Sequence, residues 1–258
     1  MDLGLRGRSV LITGASQGIG LECARVFAAE GCDLHLAARA KDKLEAARAE
    51  LAHGVSVTVH AMDLSSDAAM HALADAVGDV DVLVNNAGDI PAGSIETVDD
   101  AAWRRGFDLK VFGYISLTRL YWARMKARKS GVIINDIGNS GENFDARYIA
   151  GSSGNASLMA FTRALGGVSL DHGVRVVGVN PGPVATDRMV KLMKRRALDL
   201  HGDESRWQEL FACYPGGRPA TAREVADLIA FLASPRAGYI SGTVVTIDGG
   251  IASRGSII

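Results

Sequence analysis

"SVLITGASQGIG", residues 9–20, decides how the rest of the chain is read. Its first five residues form a largely apolar run, the mark of a strand covered on both faces of a sheet. Gly14, Gly18 and Gly20 then allow a tight turn, and residues 19–30 show helical apolar spacing. A strand that turns sharply into a helix leaves the helix's first N–H groups facing the turn. Those groups, with the positive end of the helix dipole, suit an anionic pyrophosphate. A plain strand–helix turn uses the same glycines, so the stretch gains meaning from its context.

That context is a regular alternation. Strand patterns occupy 9–13, 33–38, 55–60, 80–85, 131–136, 174–180 and 243–248, and amphipathic helical patterns include 19–30, 42–51, 99–127, 149–169 and 222–233. Strands alternating with helices imply an α/β protein with a doubly wound, seven-stranded parallel sheet flanked by helices. Without a linker, repeat or low-complexity segment, residues 1–258 read as one domain. The stretch 185–220 breaks the rhythm, and its helical, charged character predicts a flap over the substrate side. Met189, Met193, Leu210, Phe211 and Tyr214 would give that flap an apolar wall, or pack its helices together.

The totals fit such a domain. About half of the 258 residues are apolar, and the net charge of −1 recommends neither nucleic acid nor an anionic membrane as partner. Cys23, Cys32 and Cys213 lack metal-ligand spacing and read as reduced thiols, and no metal is expected. The first strand begins within ten residues, leaving no room for a signal peptide, and no apolar run approaches the ~18 residues of a membrane span. The expectation is a cytoplasmic protein acting on a small molecule.

"TGASQGIG" (13–20), "NNAG" (85–88), Asp63 after the third strand, "NPGPVATD" (180–187) and "YISGTVVTIDGG" (239–250) together resemble the short-chain dehydrogenase/reductase family. The resemblance spans essentially the whole chain and implies a Rossmann-like fold binding a nicotinamide dinucleotide. It implies that Gly14, Ser16, Gln17, Gly18, Ile19 and Gly20 carry the pyrophosphate turn, and that Asp63 and Leu64 meet the adenine. Asn86, Ala87 and Gly88 would pass the adenine-side ribose, and Pro181, Gly182, Val184 and Thr186 would line the nicotinamide carboxamide. The ending 239–250 resembles a segment that often forms a subunit contact, implying a homo-oligomer, either dimer or tetramer. At the end of the second strand Ala38 stands where an acid would favour NAD, and Arg39 follows; a guanidinium suits a 2′-phosphate, so NADP is expected over NAD. Gln17 brings no charge to that choice.

The family's catalytic tetrad is where the resemblance fails. "NASLMAFTRAL" (155–165) resembles the stretch that begins with the family's lysine, which places Asn155 at the lysine, Gly151 at the tyrosine and Gly138 at the serine, while on the long helix "WRRGFDLKVFGYISLTR" (103–119) Lys110 falls at the asparagine. Three residues are candidate substitutes. Tyr148 shares a helix face with residues 151, 152 and 155, although helical side chains lean toward the N-terminus, away from position 151. Asp136 is a charge in an otherwise apolar strand and needs a partner, for which Lys110 is the candidate. The pair is read either as acid–base machinery or as a structural ion pair. Asn139, Ser140, Glu142, Asn143 and Asp145 are substrate contacts or solvated loop residues. Two functions stay open: an NADP(H)-binding oxidoreductase on a carbonyl/alcohol pair, and a non-redox descendant such as a cofactor sensor, lyase, isomerase or hydrolase.

Overall fold

The computed structural model describes residues 2–254, apart from the side chains at positions 188, 192, 195 and 199. Seven strands, β1 (Ser9–Thr13), β2 (Asp33–Ala38), β3 (Val57–Ala61), β4 (Val82–Asn85), β5 (Gly131–Asp136), β6 (Val174–Pro181) and β7 (Val244–Ile247), form one sheet in the order β3-β2-β1-β4-β5-β6-β7. Every neighbouring pair is parallel. The expected doubly wound α/β architecture is therefore present.

The apolar runs of the central strands follow from burial on both faces. Val10 and Ile12 of β1, Val82 and Val84 of β4, and Ile134 of β5 join one core. Helices α1 (Gly18–Ala29), α2 (Lys41–Leu51) and α8 (Ala222–Ala233) contribute to the same core. The alternate residues Leu11, Leu83 and Ile133 face a second core, with α3 (Asp67–Val77) and α5 (Gly113–Arg128). Helix α6 (Ile149–Ser169) adds Leu158 and Met159 to a third cluster beside Val111 and Tyr114.

The helix expected over 99–127 is divided. Asp99 caps α4 (Asp100–Phe107) by accepting from the Ala102 N–H at 2.7 Å, and a π-helical turn, Asp108–Phe112, links α4 to α5. The wider turn carries Lys110, and such turns cluster at functional sites.

Residues 185–220 hold α7 (Asp187–His201), a 3-10 helix (Glu204–Phe211) and a short turn (Pro215–Gly217). The two ends of this excursion are clipped together: the Ala185 N–H donates to Ala220 O at 2.8 Å, and the Ala220 N–H donates to Pro183 O at 2.9 Å. Met193 and Phe211 are buried within the excursion, so these two side chains serve packing.

Candidate active site

The chain runs from β1 outward to β2 and β3, then returns to β4 on the other side of β1. In such sheets a crevice opens where the strand order reverses, beyond the carboxyl ends of the strands. Here it is a cleft of about 430 Å³. Gly14, Ser16, Gln17, Gly18, Ile19, Arg39, Asp63, Leu64, Asn86, Ala87, Gly88 and Thr186 line it together.

Its floor is a hydrogen-bonded knot. Thr13 Oγ1 accepts from the N–H groups of Asn86 (2.9 Å) and Ala87 (3.0 Å), while Asn86 Nδ2 donates back to Thr13 O at 2.8 Å. The knot needs glycine at two places. Gly14 has φ +69°, and a Cβ on Gly20 would lie 2.4 Å from Gly14 O, so Gly20 sits under the turn and lets the helix close on it. Gln17 precedes α1 without a side-chain cap, leaving the first N–H groups of that helix for an anion. A dinucleotide fits these features: a glycine cradle, an open helix N-terminus and a long cleft.

Gly182 donates its N–H to Ile247 O at 3.0 Å, and Val184 bridges to Ala220, so Pro181, Gly182 and Val184 form the passage from β6 to α7. Thr186, which caps α7, stands over Gly18. At the end of the cleft beside α2, Arg39 forms a long ion pair (3.9 Å) with Asp89, both side chains largely exposed. Lys43 Nζ donates to Gln17 Oε1 at 2.7 Å, so Gln17 brings a cation to the turn through its neighbour. Sequence reasoning missed Lys43 and Asp89; their signals were an i,i+4 relation to Arg39 and a carboxylate directly after "NNAG".

The remaining candidates gather at the end of β5. Helix α6 begins at Ile149, and Tyr148 precedes it with φ −136° and ψ 44°. Placement of Tyr148 on the helix, leaning away from residue 151, is thereby corrected. Being outside the helix, Tyr148 escapes the helical side-chain direction, and its ring lies on Gly151. A Cβ built on Gly151 would be 1.9 Å from Tyr148 Cε1 and 2.2 Å from Cζ. Two more glycines are covered in the same way. Asn155 Nδ2 lies 2.8 Å from where a Cβ of Gly138 would be, and Lys110 Cδ lies 2.8 Å from that of Gly88.

Asp136 is almost wholly buried, and its Oδ1 has no hydrogen-bond partner among the described residues. Burial pushes its carboxyl up to about 6, against the opposing pull of the Lys110 ammonium. Lys110 Nζ donates to the carbonyl of Ile137, and the Tyr114 phenol donates to Asp136 O at 2.8 Å. Burial, followed by the Asp136 charge, holds the Tyr114 phenol well above its usual range.

The loop after β5 is internally satisfied at several points. Asn139 Nδ2 donates to Asp248 (3.3 Å), Ser140 Oγ accepts from Asn155 Nδ2 (2.7 Å), and Thr246 donates to Glu142 (2.8 Å). No cluster of three metal-ligating side chains occurs among the described residues. No helix among them is long and apolar enough to cross a membrane.

Residues 8–197 match the short chain dehydrogenase family, and the chain belongs to it. It is an α/β protein of the oxidoreductase class that this family defines. It is similar to galactitol 2-dehydrogenase (L-tagatose-forming) of Cereibacter sphaeroides, with 35% identity over 250 residues covering 95% of each chain. Meso-2,3-butanediol dehydrogenase of Serratia marcescens is 34% identical over 252 residues, 93% of each. Among solved structures, L-sorbose reductase from Gluconobacter frateurii complexed with NADPH and L-sorbose gives a TM-score of 0.92 at 32% identity. That match covers 98% of this chain and 99% of the other.

Proposed function

We propose that the protein is an NADP(H)-dependent oxidoreductase interconverting a ketone and a secondary alcohol on a small substrate with a neighbouring hydroxyl. Lys110, Gly138, Gly151 and Asn155 stand where the family carries its asparagine, serine, tyrosine and lysine. The observation that carries the reading is the cleft itself, with its glycine cradle, its uncapped helix start and Arg39 at the adenosine end. Arg39 follows Ala38 rather than an acid, which favours the 2′-phosphate of NADP. The relatives named for galactitol, butanediol and L-sorbose support the vicinal hydroxyl–carbonyl pattern.

When bound, the reduced dinucleotide supplies a hydride. Gly14, Gly18 and the start of α1 would hold its pyrophosphate, and Arg39 its 2′-phosphate. Positioning alone gives much of the acceleration of such a transfer. A second reading, a non-redox descendant, draws on Gly138 and Gly151, neither of which has a side chain to donate a proton.

The test is fluorescence titration with NADPH and NADH, followed by absorbance of the reduced cofactor against L-sorbose, L-tagatose and acetoin. Tight NADPH binding with oxidation by one of these ketones supports the proposal. NADPH binding without oxidation favours the non-redox reading, and no binding removes both.

A further inference from the structure

We infer that His35 and His60, on neighbouring strands at the edge of the sheet, form a binding site for one divalent ion of the zinc class (Zn²⁺, Ni²⁺ or Cu²⁺). The site lies apart from the cleft and does not depend on the reaction proposed there.

Strand register brings the two histidines together. β2 and β3 pair with His35 opposite Thr58 and Ala37 opposite His60, so the histidines are diagonal neighbours. Side chains alternate along a strand. Leu34 and Leu36 belong to the core under α1 and α2, and Val57 and Val59 pack against that core. His35 and His60 therefore both project from the opposite face of the sheet. β3 is the outermost strand on this side, and Thr58, which shares that face, is exposed. Both histidines are half-buried, held by the strands yet reached by solvent.

The donor atoms have the separation that a chelate needs. His35 Nδ1 lies 3.2 Å from His60 Nε2, with ring centroids 5.5 Å apart and planes inclined by 28°. At a zinc–nitrogen distance of about 2.0–2.1 Å, that separation closes an N–Zn–N angle of about 100°, close to tetrahedral. Without the ion, one ring donates its N–H to the other. With the ion, the donating ring takes its other tautomer and both lone pairs turn to the metal.

The surroundings favour the form that ligates. Imidazole binds a metal only when neutral. Burial lowers the pKa of both rings; the His35 ring lowers that of His60 further, while Asp33 opposes the shift at His35. Among the described residues no third His, Cys, Asp or Glu joins the pair, so water or a small ligand completes the shell. Imidazole donors select zinc, copper and nickel over magnesium and calcium.

The placement gives the ion a structural role. β2 ends at Ala38, followed by Arg39, and β3 leads into Met62 and Asp63; all four residues line the cleft. An ion shared by His35 and His60 fastens the edge strand to its neighbour just below one lip of that cleft.

Calorimetric titration of metal-free protein with Zn²⁺ tests the site. One ion per chain is expected, with affinity falling about tenfold or more in both His35→Gln and His60→Gln. His71→Gln, at an exposed histidine on α3, is expected to bind as wild type does. Thermal unfolding gives a second readout: Zn²⁺ raises the midpoint of wild type and leaves those of the two pair variants unchanged. A third readout needs no variant. Electron paramagnetic resonance of wild type with one equivalent of Cu²⁺ should show coupling to two imidazole nitrogens. The site is overturned by absence of Zn²⁺ binding to wild type, by affinity unchanged in either pair variant, or by a copper spectrum with fewer than two nitrogens.

Discussion

Lys43, on the first turn of α2, donates to the Gln17 amide oxygen at 2.7 Å, so a cation from one element is held against the glycine turn of another. Arg39 lines the same cleft, and its carboxylate partner, Asp89, is 3.9 Å away. Two cations thus serve one end of the cleft. Exposed pairs of this kind contribute little to stability, about 0–1 kcal/mol, so their consequence belongs to ligand choice. Arg39→Ala is expected to weaken NADPH binding about tenfold or more, or ~1.4 kcal/mol, with NADH affinity little changed. Lys43→Met moves affinity in the same direction by a smaller factor. Fluorescence titration at two salt concentrations checks both variants, and equal losses for the two dinucleotides would refute a phosphate-specific role.

Asp136 makes stability depend on pH. Its folded-state carboxyl, at about 6, lies above the ordinary value of 3.8, because burial penalises the charged form. Its contribution is fully present below the unfolded value and is lost as pH rises through about 6. The shift corresponds to a penalty of roughly 3 kcal/mol at pH 8. Asp136→Asn should therefore be relatively more stable at pH 8 than at pH 4, compared with wild type. Urea unfolding at the two pH values measures it, and parallel curves for the two proteins would contradict the assignment.

Gly151 is fixed by its neighbour rather than by its own backbone. Gly151→Ala drives a methyl into the Tyr148 ring, at 1.9 Å before relaxation. Such overpacking costs about 1–3 kcal/mol. Thermal unfolding should show the loss, and Tyr148→Ala in the same chain should recover most of it, since the clash then has no second party.

Arg175, buried in β6, carries its charge without a carboxylate partner among the described residues. Its guanidinium donates to the carbonyls of Ala233 (3.1 Å) and Ser234 (2.9 Å), and to that of Leu232, at the end of α8. Burial holds its pKa below the usual arginine range. Arg175→Met leaves these carbonyls unsatisfied and should destabilise the protein by about 2–4 kcal/mol. Because Arg175 stands at the start of β6, away from the cleft, NADPH affinity of the folded variant should stay within twofold of wild type.

The sheet was legible because burial on both faces writes itself as unbroken apolar runs. β1, β2 and β5 fall at the expected residues, as do α6 and α8. Cleft residues were legible where glycine spacing and strand ends fix them. Tyr148 was not: the expected helix began at 149, yet Tyr148 was given a helical side-chain direction that points away from Gly151, whereas as the residue before the helix it covers it. Lys43 was hidden because its role passes through the side chain of Gln17, and no pattern in sequence states that contact. The π turn at Lys110 was equally hidden, since one extra residue in a turn leaves the apolar period almost unchanged.

The clip between Ala185 and Ala220 has an evolutionary corollary. An insert whose two ends meet at one pair of backbone bonds behaves as a cassette: its length and sequence can change while the strands on either side keep their register. Selection for a new substrate could then act on residues 186–219 without renegotiating the sheet. Grafting that span from another family member should yield a folded hybrid with the parent's cofactor preference and the donor's taste in alcohols.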